Sequence, residues 1–255
     1  MKRTLWMTTG AMALFVAGAF GQEGGSEARY DRQIAERANA ELQKAELRNK
    51  DKFREITASA EDGIVTLEGT ARLFIDKVNA EKKVRRIDNV DGVRNHVVIA
   101  GAEVEDATLL EKLSGKLRYD RVGYGIMFNN LLVDVKDGVV KIGGKVRDYP
   151  DRDSALAIVY TTPGVKDVID DIDVASVSGM DDDLRLQLAY SIYGHSALQR
   201  YGLDPQAPIR IVVEGGHVEL IGVVTSSSER QVAYSQAMSV PGVFSVTNNI
   251  VVAGN

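Results

Sequence analysis

The 255-residue sequence contains no cysteine and only three histidines: His96, His195 and His217. Without thiols there is no disulfide, no thiolate metal site and no cysteine nucleophile, and three histidines are too few for a histidine-rich metal cluster. Aromatic residues make up only 6% of the chain, whereas 44% hydrophobic and 26% charged residues are typical of a folded protein. The composition therefore excludes thiol chemistry, most metalloenzymes, collagen and extended disorder.

Long apolar runs are also missing, except near the start. Lys2 and Arg3 precede an uncharged stretch over 5–20, and small residues at 17, 19 and 21 suit signal peptidase. This pattern predicts a signal peptide over 1–21, cleaved at 19 or 21. The alternative is a retained anchor, but the apolar run is shorter than the roughly 20 residues that a bilayer span needs. We expect an exported protein, periplasmic or secreted, with no transmembrane segment after signal removal.

The charge is negative and unevenly distributed. The net charge is −5, and removal of the signal peptide leaves 29 basic and 36 acidic residues, a net charge of −7. A nucleic-acid-binding protein would normally be basic, so no nucleic-acid partner is expected. Residues 27–101 carry +1, whereas 102–178 carry −4 and 179–255 carry −3. Basic residues are thus concentrated in the first third of the chain.

One sequence unit occurs three times. Its first part, a turn followed by a β-rich run, lies at 62–69, 137–144 and 215–222. Its second part, a Gly-Val pair, follows 20 or 23 residues after the last glycine of the first part. Two anchors in the same order at nearly constant separation indicate a repeat. The predicted modules are 30–101, 104–176 and 181–253.

Each copy shows the same order of elements. Asp-Gly or Gly-Gly between two β-rich runs indicates a hairpin with a tight primed turn. Apolar residues three and four apart indicate one helix before the hairpin and one after it, and a last apolar strand follows. The fold class is therefore α+β, in three tandem α-β-β-α-β modules. Each should be a small mixed three-stranded sheet with two helices on one face.

The hairpin pattern V-x-L-x-G, followed by G-V-x-x-V, resembles the BON domain, the bacterial osmotically-inducible-protein and nodulation domain. Copy one reads V-T-L-E-G at 65–69, and copies two and three continue with G-V-K-D-V at 164–168 and G-V-F-S-V at 242–246. The resemblance covers about 30–253. Copy one departs from it, with three extra residues between its glycines and a shorter return strand.

The resemblance implies a non-enzymatic, usually periplasmic module linked to osmotic-stress tolerance, envelope integrity and attachment to envelope proteins, with phospholipid binding proposed. It implies no catalytic residue, no metal and no cofactor. The expected partner is an anionic phospholipid surface or an envelope protein, and the oligomeric state is left open. One alternative is a structural adaptor without lipid binding. An enzyme would require a deep pocket lined by carboxylates from two copies.

The second helix of copy one carries the main cationic candidate. At 100° per residue, most of its basic residues fall opposite the apolar Ala80, Val84 and Ile87. This face is either an ordinary solvated surface or a contact for anionic lipid head groups. The candidate residues are Lys77, Lys82, Lys83, Arg85 and Arg86.

An arginine-tyrosine pair before the hairpin is a second candidate. Tyrosine and arginine are favoured in interface centres because they combine large contact area with directional hydrogen bonds. The pairs are expected either to pack between copies or to bind an outside partner. The candidate residues are Arg118, Tyr119, Tyr124, Arg200 and Tyr201.

Six glycines are expected to serve the fold. Three lie inside the second strand, where glycine weakens a strand unless the missing side chain is required. We predict that these three allow the following helix to approach closely, or that they form a local bulge. The six are Gly69, Gly92, Gly144, Gly164, Gly222 and Gly242.

Two further features have ordinary structural interpretations. The acidic run 181–183 is predicted to cap the helix that it begins, because negative charge is favourable near a helix N-terminus; a calcium site is the alternative. His96 takes the place of Val168 and Val246, which predicts a core or strand-edge histidine.

Overall fold

The computed structural model describes residues 23–48, 55–119, 126–176, 178–204 and 209–254. The predicted signal peptide over 1–21 and the candidate Tyr124 lie outside these residues, as does the side chain of Tyr119. None of the helices in the described parts of the chain combines the length and the apolar character that a bilayer crossing needs.

The first copy consists of two helices and a small sheet. Its elements are α1 (Glu23–Arg48), β1 (Ile56–Glu61), β2 (Ile64–Ala71), α2 (Phe74–Val84), β3 (Gly92–Asn95) and β4 (Val98–Ile99). The second copy contains α3 (Asp106–Tyr119), a 3₁₀ turn (Ile126–Phe128), β5 (Asn130–Lys136), β6 (Val139–Val146), α4 (Tyr149–Thr161) and β7 (Asp167–Val174). The third contains α5 (Gly179–Gly194), α6 (Gln199–Leu203), β8 (Arg210–Glu214), β9 (His217–Val224), α7 (Ser227–Met238) and β10 (Ser245–Val252).

Three separate mixed sheets in the described parts of the chain confirm the predicted fold class. In the second copy β6 is central, antiparallel to β5 and parallel to β7. The third copy has the same arrangement around β9, and the first around β2. Since alternate residues of a strand face opposite sides, each sheet presents one apolar face to both helices of its copy.

The apolar periods predict which helix faces are buried. Ile34, Ala38 and Leu42 of α1 lie in the core of copy one, as do Leu109 and Leu113 of α3 in copy two. In copy three Leu184, Leu188 and Ile192 of α5 pack against Ile211, Val213 and Leu220 of the sheet. Met238, the last residue of α7, is exposed.

The first copy departs from the other two at its C-terminal half. Helix α2 ends at Val84, so Ile87 lies beyond it, and the extra residues form turns that include Asn89 at φ +67°. The return strand is broken at His96 and Val97. Val97 is buried, whereas His96 is exposed and its backbone N–H donates to the Leu67 carbonyl at 2.8 Å. The core alternative for His96 is therefore wrong.

The strand glycines have a different neighbour from the one expected. Gly69 and Gly144 have φ of +116° and +102°, and a Cβ on Gly144 would lie 2.1 Å from the carbonyl oxygen of Asn130 on the paired strand. A Cβ on Gly69 would lie 1.8 Å from the Glu55 carbonyl oxygen. At these two glycines the predicted helix contact is wrong, because the backbone of the paired strand occupies the space. The register is also continuous through both glycines, which excludes the bulge.

Neighbouring copies pack against each other. Phe74 of α2 is buried in the core of copy two, with its ring centroid 5.2 Å from that of Tyr160. Phe128 of the 3₁₀ turn is buried in the core of copy three. Lys145 of β6 pairs with Glu214 of β8, and this hydrogen bond raises the pKa of Lys145 although partial burial opposes the shift.

Candidate functional site

An aspartate from the first helix holds the hairpin turn in every copy. The carboxylate of Asp106 accepts hydrogen bonds from the backbone N–H groups of Asp137 and Gly138, at 2.7 and 2.9 Å. Asp181 accepts from Gly215 and Gly216 at 2.8 and 3.0 Å. Asp31 accepts from Asp62 and Gly63, both at 3.1 Å. We call these three residues the clasp aspartates, since they tie each hairpin to the helix that precedes it.

The acidic run 181–183 contains the clasp aspartate of copy three, Asp181. Asp181 is 3% exposed and its oxygens accept from the turn, so it does not simply cap α5; that cap is Ser178, whose hydroxyl accepts from the Asp181 N–H. Asp182 pairs with Arg185 at 2.6 Å. Among the described residues no group of three or more His, Asp or Glu side chains is placed to hold a metal ion.

A second acidic position also repeats, at the third residue of the helix that follows each hairpin. Asp76, Asp151 and Glu229 are all buried there. Glu229 forms a capping box with Ser226, in which each side chain accepts from the other residue's backbone N–H. Burial alone would raise the pKa of Glu229. Hydrogen bonds from Tyr201 and Thr225, together with Arg200, hold that pKa below its ordinary value.

The Arg200-Tyr201 pair belongs to this same network. Tyr201 is 7% exposed and lies in the core of copy three. Its hydroxyl donates to Glu229 at 3.0 Å and accepts from the Thr225 N–H at 3.0 Å. The Arg200 guanidinium contacts the Tyr201 hydroxyl at 2.9 Å and pairs with Glu229. Tyr201 therefore packs inside its own copy, and the expected contact between copies or with a partner is not its role.

The corresponding residue in copy two lies in a different setting. Arg118 is exposed and lines a cavity of about 110 Å³ at the junction with copy three, together with Asn129 and Arg210. Ligand pockets are usually several times larger, roughly 300–1,000 Å³. This cavity is too small for an ordinary ligand, although it places Arg118 at a boundary between copies.

The cationic candidates of copy one form a continuous exposed surface, which we call the basic surface. Lys82 and Lys83 lie in the last turn of α2, and Arg85 and Arg86 follow in the turn, all four exposed. Lys77 is only half-exposed. Ala80 and Val84, on the opposite side of α2, are fully buried. The helix therefore presents its charges outwards, as the sequence predicts.

The basic surface continues into a groove beside α1. Its volume is about 560 Å³, and its lining includes Lys83 and Arg86 of the basic surface and Arg37 of α1. Two acids reduce the local charge: Glu41 and Asp88 line the same groove, while Glu81 pairs with Arg85 at 2.7 Å. Sequence analysis missed Arg37 because it lies some 46 positions before Lys83 and only the packing of α1 against α2 brings the two together.

The fold defines a class: a chain of three tandem α-β-β-α-β modules. The family model of the BON domain matches three times, at residues 30–101, 105–176 and 195–254. The chain belongs to the BON domain family. This family is associated with the bacterial envelope and is generally non-enzymatic.

Two solved structures are similar to this chain in part. One is of CdsD, described as a structural protein of the type III secretion system of Chlamydia trachomatis. It is 14% identical, covers 84% of this chain and 91% of its own, and has a TM-score of 0.22. The other is of the C-terminal domain of CdsD. It is 13% identical, covers 84% of this chain and 96% of its own, and has a TM-score of 0.23. Superpositions this weak carry no argument about function. No curated protein matches the chain.

Proposed function

We propose that this is an exported, non-enzymatic protein of the bacterial envelope that binds anionic phospholipid surfaces through copy one and supports envelope integrity or osmotic-stress tolerance. Family membership supports the envelope setting. The periplasmic location also depends on the predicted signal peptide. The observation that carries the lipid proposal is the basic surface, because four exposed cations lie side by side on a module whose neighbours are acidic.

Electrostatics favours a membrane over a protein for this surface. A basic residue close to an anionic bilayer contributes about 1 kcal/mol, and the contribution falls away within a Debye length. Copies two and three carry −4 and −3 and are repelled by the same bilayer. The molecule should therefore bind with copy one at the surface and the other two copies directed away from it.

The test is co-sedimentation of the mature chain with vesicles of phosphatidylcholine alone and of phosphatidylcholine with phosphatidylglycerol. Binding is expected only with the anionic lipid and should weaken as salt is added. Lys82→Gln/Lys83→Gln should weaken binding roughly 30-fold, at about 1 kcal/mol for each charge removed.

Lys112→Gln/Lys136→Gln is the matched control, since it removes two exposed lysines from copy two and changes the net charge equally. It should leave vesicle binding unchanged. Equal losses in both variants would show that only total charge matters. No binding to anionic vesicles at low salt would leave the alternative, an adaptor that docks on envelope proteins.

A further inference from the structure

Copy three has an open apolar groove beside its hairpin turn. The groove has a volume of about 440 Å³ and lies between the start of α5, the Gly215-Gly216 turn and the segment 241–244. We call it the third-copy groove. Its principal lining side chains are Met180, Asp183, Leu184, Gln187, Pro241 and Phe244.

The same place in copy two is filled by the chain itself. The linker before α3 puts Val104 directly on Gly164, so that a Cβ on Gly164 would lie 2.8 Å from the Val104 Cβ and Cγ2. Val104 packs against the core of copy two, and Leu109 lies beneath it. The adjacent Glu103 faces Lys166 at 3.8 Å. An extended segment with one valine therefore completes this module.

Within the described residues, copy three has no such filling residue. The position equivalent to Val104, 75 residues later, is Gly179, which has no atom within 4 Å of an added Cβ. Gly242, the equivalent of Gly164, meets only the Leu184 Cδ1, at 3.9 Å. Helix α5 begins at Gly179, two positions earlier than α3 relative to its clasp aspartate, and none of the linker residues that the structure describes lies over Gly242.

Two large apolar side chains beside the groove are exposed to solvent. Met180 is 79% exposed and Phe244 is 72% exposed. Eight of the 13 exposed large hydrophobic residues in the described parts of the chain belong to copy three. Exposed apolar surface that encloses a concave site is typical of a protein-binding site.

The charge at the groove is reversed relative to copy two. Phe244 stands where copy two has Lys166, and none of the described residues that line the groove is basic. Asp183 is exposed at the rim, and no ion pair involves it among the described residues. A segment that carries glutamate, as the copy-two linker does, would face this acid, whereas lysine or arginine would complement it.

We propose that the third-copy groove binds an extended segment of a partner protein, with a valine-sized aliphatic side chain on Gly242 and a basic residue beside it facing Asp183. The segment takes the position that the linker takes in copy two. The proposal is independent of lipid binding, since the groove and the basic surface lie on different copies.

The probe is the acetylated peptide of residues 100–106 with Glu103→Lys and Glu105→Lys. Titrated into the ¹⁵N-labelled mature chain, it should shift the amide signals of Gly216, Gly242 and Phe244 with a roughly millimolar Kd. The unchanged linker peptide should bind at least about fivefold more weakly because it repels Asp183. A peptide with Val104→Ala as well should also bind more weakly, because the aliphatic contact is reduced.

Asp183→Lys reverses the charge at the rim and should weaken binding of the lysine-containing peptide at least about fivefold, because the peptide then meets a like charge. Glu111→Lys, on the exposed side of α3, is the matched control, because it changes the net charge equally and lies on copy two. Phe244→Ser removes a side chain that is 72% exposed and should also weaken peptide binding, because it reduces the apolar surface of the groove. Lys82→Gln/Lys83→Gln should leave peptide binding intact, which separates this proposal from the lipid proposal.

Several results would overturn the proposal. One is the absence of saturable shifts at several millimolar peptide, and another is peptide binding that Asp183→Lys and Phe244→Ser both leave unchanged. A dimer in sedimentation that Phe244→Ser dissociates would assign the groove to a second copy of the chain. Binding to neutral phosphatidylcholine vesicles that Phe244→Ser removes would assign it to a membrane.

Discussion

At the scale of single residues, the strand glycines show how a sequence pattern can be right about a residue and wrong about its reason. A glycine inside a strand indicates that a side chain is not tolerated there. In Gly144 the reason is a φ of +102° and the Asn130 carbonyl oxygen in the space that a Cβ would fill. Neither fact is visible in the pattern, because both depend on the paired strand.

Gly144→Ala should therefore destabilise the protein by at least about 2 kcal/mol, from backbone strain and from overpacking against a carbonyl. Urea denaturation of the mature chain measures this loss. The control is Gly143→Ala, where φ is not positive and an added Cβ would meet Asp171 at 3.3 Å. If the two variants lose the same stability, the strand carbonyl is not what requires Gly144.

The clasp aspartates are a second example at the scale of single residues. Asp31, Asp106 and Asp181 are spaced 75 residues apart, so the sequence did contain a signal for them. Their partners are backbone N–H groups, which carry no side-chain signature, and each lies more than 30 positions away in the chain. The repeat could have identified these residues as special, but only the folded hairpin shows what they hold.

At the scale of elements, helix and strand periods predicted most of the secondary structure. The two main departures are the return strand of copy one, which is broken at His96 and Val97, and the early start of α5, which the Ser178 cap sets. The second departure has a consequence, since it leaves the third-copy groove open. The Arg200-Tyr201 pair is another case, because α6 turns Tyr201 inwards to meet the start of α7.

The Tyr201-Glu229 contact should make the stability of copy three depend on pH. The folded pKa of Glu229 is below its ordinary value of 4.5, so its contribution is fully present above that value. It is lost as the pH falls through the folded pKa. The free energy of unfolding, measured with urea, should fall between a pH above 4.5 and a pH below the folded pKa. This fall should be smaller for Glu229→Gln than for the wild type.

Tyr201→Phe provides the independent check. Removal of the hydroxyl should raise the pKa of Glu229 towards its ordinary value, measured by ¹³C NMR titration of the carboxyl group. Glu111→Gln, on the exposed side of α3, is the control for Glu229→Gln and should leave the unfolding free energy unchanged. An unchanged Glu229 titration in Tyr201→Phe would mean that this hydrogen bond does not hold the carboxylate.

At the scale of the whole molecule, the three copies are not independent. An aromatic residue of copy one completes the core of copy two, and one of copy two completes the core of copy three. The junctions are built differently, since Phe74 comes from a helix and Phe128 from a 3₁₀ turn. The order of the copies therefore matters, because each junction uses an aromatic residue that one particular copy supplies.

Phe74→Ala should destabilise copy two by about 3 kcal/mol although the substitution lies in copy one, because it leaves a cavity beside Tyr160. Hydrogen exchange resolved by module measures which copy is affected. Tyr149 occupies the equivalent position in copy two but is 64% exposed, so Tyr149→Ala should cost less than about 0.5 kcal/mol. Faster exchange in copy one alone would contradict a shared core.

The sequence by itself determined the number of copies, the order of their elements and most of the side chains that form each core. It could do so because helix and strand periods record which face of an element is buried. Only the tertiary structure decided which surfaces are left uncovered. Val104 covers its groove and Gly179 does not, Tyr201 is buried and Phe244 is exposed. These differences depend on where distant segments meet, and contacts between distant segments leave no period in a sequence.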